Sequence, residues 1–152
     1  MIRSGFYFEL SVQQVIDCSS AYTYGCKGGY FEGVFNFLES HGVETDFSYP
    51  YTSGQTKKKG TCKSDSGSYK IKSYHKLSDC AAIKEELRNH PISVGIAGTE
   101  LQFYSQGIFD SCGEEVNHSV LLVGFRGDTG WKVKNSWGRD WGMSGFAWIS
   151  EE

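Results

Sequence analysis

What the chain lacks narrows its class first. No run of apolar residues approaches the ~20 that a membrane helix requires, and residues 1–10 carry Glu9 without the small-residue cleavage pattern of a secretory leader. Positive charge is not in excess. Lys and Arg number 15 against 18 Asp and Glu, for a net charge of −3, so the basic footprint of a nucleic-acid binder is missing. The one lysine run, Lys57-Lys58-Lys59, lies among Gly, Ser and Thr as a solvated loop does. Cys-x-x-Cys pairs are absent. Five cysteines at positions 18, 26, 62, 80 and 112 are too scattered for a zinc ribbon, and neither a metal nor a cofactor is expected. Repeats and heptads are missing as well.

What is present is the composition of a folded protein: 152 residues, 39% hydrophobic and 15% aromatic. That length buries one ordinary core or two small lobes. The front of the chain reads as helices joined by irregular loops. Ser11-x-x-Gln14 is a capping-box pattern opening a short helix through Val15 and Ile16. A second helix is predicted from Tyr30 or Phe31 to Ser40, with Phe31, Val34, Phe35 and Leu38 as a core-facing stripe and Gly42 as its stop. Residues 50–68 read as a long surface loop.

After about residue 70 the pattern changes. Asp79 is placed to cap a helix carrying Ile83 and Leu87 and ending at Pro91. Strands are predicted at Ile92–Ile96, His118–Phe125, Trp131–Asn135 and Gly145–Ile149. Between two of them, Arg126-Gly127-Asp128-Thr129-Gly130 suits a hairpin turn. Its Arg-Gly-Asp triplet raises adhesion as a reading, but turn chemistry accounts for it. A helical part followed by an antiparallel β part is an α+β arrangement, with 1–70 and 71–152 as the two lobes.

Two short segments carry chemistry: Val116-Asn117-His118-Ser119-Val120 and Lys134-Asn135-Ser136-Trp137-Gly138. A lone His is most often a core residue, and Asn-Ser-Trp-Gly alone reads as a turn. Together they offer an imidazole and an amide that can accept its ring N–H and hold it in orientation. Their spacing of 17 residues is two strands and a hairpin, which brings both to one sheet edge. Such a pair serves a cysteine nucleophile, which acts as thiolate and needs a neighbouring imidazolium to lower its pKa from about 8.5. Trp137 and Trp141, beside Gly138 and Gly142, either pack a corner or shield the His–Asn bond from water.

With Leu10-Ser11-Val12-Gln13-Gln14 at one end and Trp141-Gly142 at the other, these segments resemble the C-terminal active-site half of papain-like cysteine proteases, the cathepsin L and papain group. The resemblance implies a two-lobe α+β papain-like fold, a partial helical lobe followed by an antiparallel β-barrel-like lobe, with the active site in the cleft between them. It implies His118 and Asn135 as catalytic residues. In Gly25-Cys26-Lys27-Gly28-Gly29-Tyr30, which by itself reads as a tight turn, it implies that Gly28 and Gly29 hold the substrate backbone and that Tyr30 and Phe31 line the neighbouring subsite. The resemblance further implies that Gly95 faces that subsite, where its small size is expected to leave room for a bulky apolar or aromatic side chain, and that Asn117 and Trp137 border the site. A disulfide between Cys18 and Cys62, 44 residues apart, is implied too, with about 4 kcal/mol of stabilisation on the chain-entropy account.

Departures matter as much. Asn117 stands where papain has Asp, Met143 replaces the usual acidic residue after Trp-Gly, and no cysteine lies in the family's Gln-x-x-x-x-x-Cys-Trp nucleophile context. Cys26 and Cys112 match disulfide positions whose partners fall outside this sequence, and Cys80 matches none. The expectation is therefore a portion of a longer peptidase, inactive alone. The competing expectation is a non-catalytic papain-like homologue that binds peptides. Asn117-His118-Ser119 also spells an N-glycosylation sequon, expected to be buried and unmodified. Implied partners are peptide or protein substrates and propeptide or cystatin-like inhibitors, with no nucleic acid or membrane. The chain is expected to be a monomer in a lysosome, vacuole or extracellular space.

Overall fold

The structure, a computed structural model, describes residues 7–111, 113–127 and 129–151. It consists of two compact units that divide between His75 and Lys76.

In the first unit the helices are α1 (Val12–Cys18), α2 (Phe31–Ser40) and the single turn α3 (Ser53–Thr56). Ser11 caps α1 by accepting from Gln14 N–H at 2.9 Å, but the capping box is only half formed. Gln14 does not reach back, because the Ser11 N–H donates instead to Glu44 O. The Gln14 amide is used elsewhere, accepting from Glu44 N–H and donating to Ser64 O and Ser66 O.

That exchange turns a polar face of α1 inward. Gln13, Gln14 and Asp17 are buried while Val12 is exposed. Gln13 accepts from the N–H groups of Thr52 and Ser53 and donates to Asp17 Oδ1 and Ser53 Oγ. Asp17 accepts from Gly60 N–H and Tyr49 Oη–H. Buried polar groups must find partners, and here the inward face of α1 supplies the hydrogen bonds that an irregular segment cannot make with itself. Cys18 and Cys62 are bonded through sulfur, closing the same segment covalently.

The stripe on α2 differs from its prediction. Phe31, Val34, Phe35 and Leu38 are half-buried, and the buried positions are Gly33 and Phe37. A β-carbon at position 33 would lie 2.1 Å from Ala21 O, so the helix is seated by backbone approach at its glycine. Phe35 instead packs against Phe31 and Tyr74.

In the second unit α4 (Cys80–Leu87) is capped by Asp79, which accepts from Ala82 N–H at 2.8 Å. The strands β1 (Ile92–Ile96), β2 (Ile108–Phe109), β3 (His118–Arg126), β4 (Gly130–Lys134) and β5 (Phe146–Ile149) form one sheet in the order β1-β3-β4-β5-β2. Neighbours are antiparallel except β2, which runs parallel to β5 and makes the sheet mixed. The two-residue β2 was not predicted, being too short for an alternation signal. Leu101, Tyr104, Val120, Leu122, Val133, Ala147 and Ile149 are the buried core, with Ile83 and Leu87 of α4 packed onto it. Burying Val133 and Leu122 opposite each other fixes the register, since a one-residue slip would turn this face outward. The hairpin turn closes through Thr129 N–H to Arg126 O. Asp128 of the Arg-Gly-Asp triplet and Cys112 lie outside the described residues.

Candidate active site

The second unit brings His118 and Asn135 together. His118 opens β3 opposite Ile96 of β1, and Asn135 follows the last residue of β4, its N–H tied to Gly145 O at 2.9 Å. His118 Nε2 lies 2.9 Å from Asn135 Oδ1. The same oxygen accepts from Ser136 N–H at 2.8 Å, which can only donate. The amide is thus oriented with its oxygen toward the ring. An acceptor at that place requires the proton on Nε2, and Nδ1 makes no hydrogen bond among the described residues. Asn135 is 8% exposed, and its Nδ2 is buried without a hydrogen-bond partner among the described residues.

The loop after Asn135 turns back to β5 at Gly138, Gly142 and Gly145, all with positive φ, a conformation that side chains disfavour. This return sets the indoles. Trp137 stacks on the imidazole with centroids 4.7 Å apart and planes at 29°, and Trp141 meets Trp137 edge-on at 5.3 Å. Trp141 is anchored by its own ring N–H to Leu101 O. Trp137 remains 40% exposed, so it covers one face of the ring without enclosing it.

Asn117 is exposed, contrary to the burial expected of the sequon residue. Its amide is held by partners instead: Oδ1 accepts from Gly98 N–H and Nδ2 donates to Thr99 Oγ1, both at 2.9 Å. Gly95 of β1 does not open free space above itself. A β-carbon there would lie 2.8 Å from Val116 Cγ1, so the exposed Val116 side chain already covers that position. Sequence reasoning missed Gly98 and Thr99, neither of which lies in a motif that sets it apart, and gave Val116, within the histidine segment, no role of its own.

In the first unit, Gly28 has φ +99° and ends a 3-10 turn over Gly25–Lys27. Tyr24 N–H to Gly28 O and Tyr30 N–H to Tyr22 O close a narrow ribbon. Thr23 faces Gly29 across it. The exposed Gly29 N–H and C=O make no hydrogen bonds among the described residues. Tyr30 is exposed and Phe31 half-buried. Cys26, in the same turn, and Cys80, the first residue of α4, are exposed thiols. No group of three or more His, Cys, Asp or Glu among the described residues is arranged to hold a metal, and no described helix is long and apolar enough to cross a membrane.

An imidazole oriented by an amide, covered on one face by an indole and left open at Nδ1 can accept or donate a proton at that nitrogen. The sequence pattern of the papain family cysteine proteases matches residues 1–152, and the chain belongs to that family. Thiol protease SEN102 of Hemerocallis sp. is 38% identical over 95% of the chain, which spans 42% of that protein. Among solved structures, bromelain from Ananas comosus in complex with the inhibitor E64 is similar with a TM-score of 0.85 and 34% identity, covering 98% of this chain and 72% of bromelain. The Amb a 11 cysteine protease, a ragweed pollen allergen solved in its proform, matches with a TM-score of 0.77 and 34% identity, over 98% of this chain and 48% of its own. The chain spans less than half the length of several of the relatives it matches.

Proposed function

We propose that these residues supply the imidazole and amide of a papain-like cysteine endopeptidase, whose nucleophilic thiol comes from outside them. The 2.9 Å contact between His118 Nε2 and Asn135 Oδ1 carries this reading. With Nε2 so engaged, Nδ1 faces the reaction. It forms the ion pair with the thiolate, gives its proton to the leaving amine as the acyl-thioester forms, and takes a proton from the water that hydrolyses the thioester. Neutral Asn135 orients the ring without adding a negative charge to compete with the thiolate.

The substrate is an extended peptide. The unengaged N–H and C=O of Gly29 are suited to pair with its backbone, as a strand added at an edge would. Gly28 lets the chain make that turn, and Tyr30, Phe31, Gly95, Asn117 and Trp137 border the subsites. We read the first unit as the helical lobe and the second as the β lobe. Propeptide and cystatin-like inhibitors are expected partners of a monomeric enzyme in a lysosome, vacuole or extracellular space, where a Cys18–Cys62 bond persists.

The test is hydrolysis of a fluorogenic peptide and labelling by an active-site-directed epoxide. Residues 1–152 alone should show neither, and a polypeptide that adds the thiol segment should show both. Epoxide labelling of any of the five cysteines in these residues refutes the division of roles. A parent with Ser or Gly at the thiol position that still binds peptide establishes the non-catalytic homologue instead.

A further inference from the structure

We propose that Thr99 is a positioning residue for His118, its hydroxyl fixing the orientation of the Asn117 amide that precedes the imidazole. The inference rests on the reading of His118 as the catalytic imidazole.

Three hydrogen bonds tie Asn117 to the end of β1. Its N–H donates to Ile96 O at 3.1 Å, its Oδ1 accepts from Gly98 N–H, and its Nδ2 donates to Thr99 Oγ1. A carboxamide has one accepting and one donating end. Gly98 N–H can only donate, so it demands the oxygen. A rotated amide would set N–H against N–H there. The Thr99 hydroxyl accepts from the opposite end, so both contacts select one orientation. Asn117 is exposed and water competes for each contact, which makes a second anchor consequential. The hydroxyl has no other structural duty in view, because the 3-10 turn Glu100–Phe103 that Thr99 precedes receives no side-chain cap.

The clamp bears on the imidazole through position 98. A β-carbon there would lie 2.5 Å from His118 Cβ and 2.9 Å from Cγ, so this backbone lies directly against the stem of the ring. Asn135 holds Nε2 and Trp137 covers one face. The Gly98–Thr99 backing is thus a third constraint on the same ring. Movement of residues 98–99 relative to Asn117 carries the imidazole away from its place, and small misplacements of a reacting group are costly.

The experiment compares Thr99→Val and Thr99→Ser in a polypeptide carrying the whole chain. Thr99 is exposed, so both variants should fold. In T99V, solvent exchange of the Asn117 side-chain amide protons should accelerate about two- to tenfold, the range of one hydrogen bond, and the His118 imidazole NMR signals should shift. T99S should restore both. In the active enzyme, kcat should fall about two- to tenfold in T99V with KM unchanged, and T99S should recover it. Wild-type exchange and imidazole signals in T99V, or a T99S variant that behaves like T99V, overturn the proposal. A wild-type polypeptide that adds the thiol segment and still shows no peptidase activity overturns the functional reading instead, and the NMR comparison then decides the clamp alone.

Discussion

Replacing Asn135 with Ala should lower activity strongly while leaving stability nearly intact. The amide oxygen accepts from His118 Nε2–H at 2.9 Å and from Ser136 N–H at 2.8 Å, and each neutral bond contributes about 1 kcal/mol net. Losing both costs about 2 kcal/mol. The truncation also deletes Nδ2, a buried donor with no partner among the described residues, whose desolvation costs about 1–3 kcal/mol. These terms offset. At about 2–4 °C per kcal/mol for a chain of this size, the melting temperature should move by no more than a few degrees. Catalysis has no such offset. When the imidazole carries a proton, its bond to Asn135 is charge-assisted and contributes about 1.5–3 kcal/mol, so kcat should fall about 10- to 100-fold at ~1.4 kcal/mol per decade. Thermal unfolding by circular dichroism measures the first quantity, and steady-state peptide hydrolysis by the thiol-bearing polypeptide measures the second. A melting temperature lowered by more than about 8 °C would show that Nδ2 is not an uncompensated donor. An unchanged kcat would remove Asn135 from the mechanism.

Other perturbations test the frame around the site. Reducing the Cys18–Cys62 bond, which spans 44 residues, should cost about 4 kcal/mol on the chain-entropy account; an unchanged urea midpoint would mean that the hydrogen bonds of α1 hold the loop alone. Asp17→Ala leaves Gly60 N–H and Tyr49 Oη–H without their carboxylate. At about 1–3 kcal/mol for each such group, unfolding should become easier and trypsin should cleave at Lys57–Lys59 sooner; equal stability in urea would contradict the network. His90 has its pKa raised above 6.5, first by the Pro91 carbonyl and further by Glu86, against the opposing effect of burial. A raised pKa means that the native state binds the proton more tightly. The stabilisation is therefore fully present below pH 6.5 and is lost as pH rises through the native value. The melting temperature of wild type minus that of His90→Gln should be larger at about pH 5 than at about pH 8. A difference independent of pH would exclude the ion pair with Glu86.

Much of the fold was legible because its signals are local. Asp79 caps α4 and Ser11 caps α1 since a short oxygen-bearing side chain reaches only its own first turn. The alternating residues of β1 and β4 and the short apolar run of β3 declare strands on the same ground. The front of the chain was read less well. Gln13, Gln14 and Asp17 look like the solvent side of a helix, yet they are buried because backbone groups between Glu44 and Ser66 need their hydrogen bonds. No periodicity in the sequence announces a partner some 30 to 50 residues away. The half-buried stripe of α2 failed for a related reason, since backbone approach at Gly33 outweighed side-chain hydrophobicity in seating the helix.

The sequence by itself carried the family resemblance, in the segments around His118 and Asn135, and with it the imidazole and the amide as candidates, because such segments are local and readable without the fold. Tertiary structure decided what surrounds them. Ser136 N–H selects the amide orientation and thereby the ring nitrogen that stays open. Val116 covers the space that Gly95 alone would leave, Gly98 comes to stand against His118, and Thr99 meets the amide of Asn117. These contacts join β1 to the start of β3, some 20 residues further along the chain, and they follow from the antiparallel register of the two strands. Only the folded sheet sets that register, since burial of one whole face fixes it.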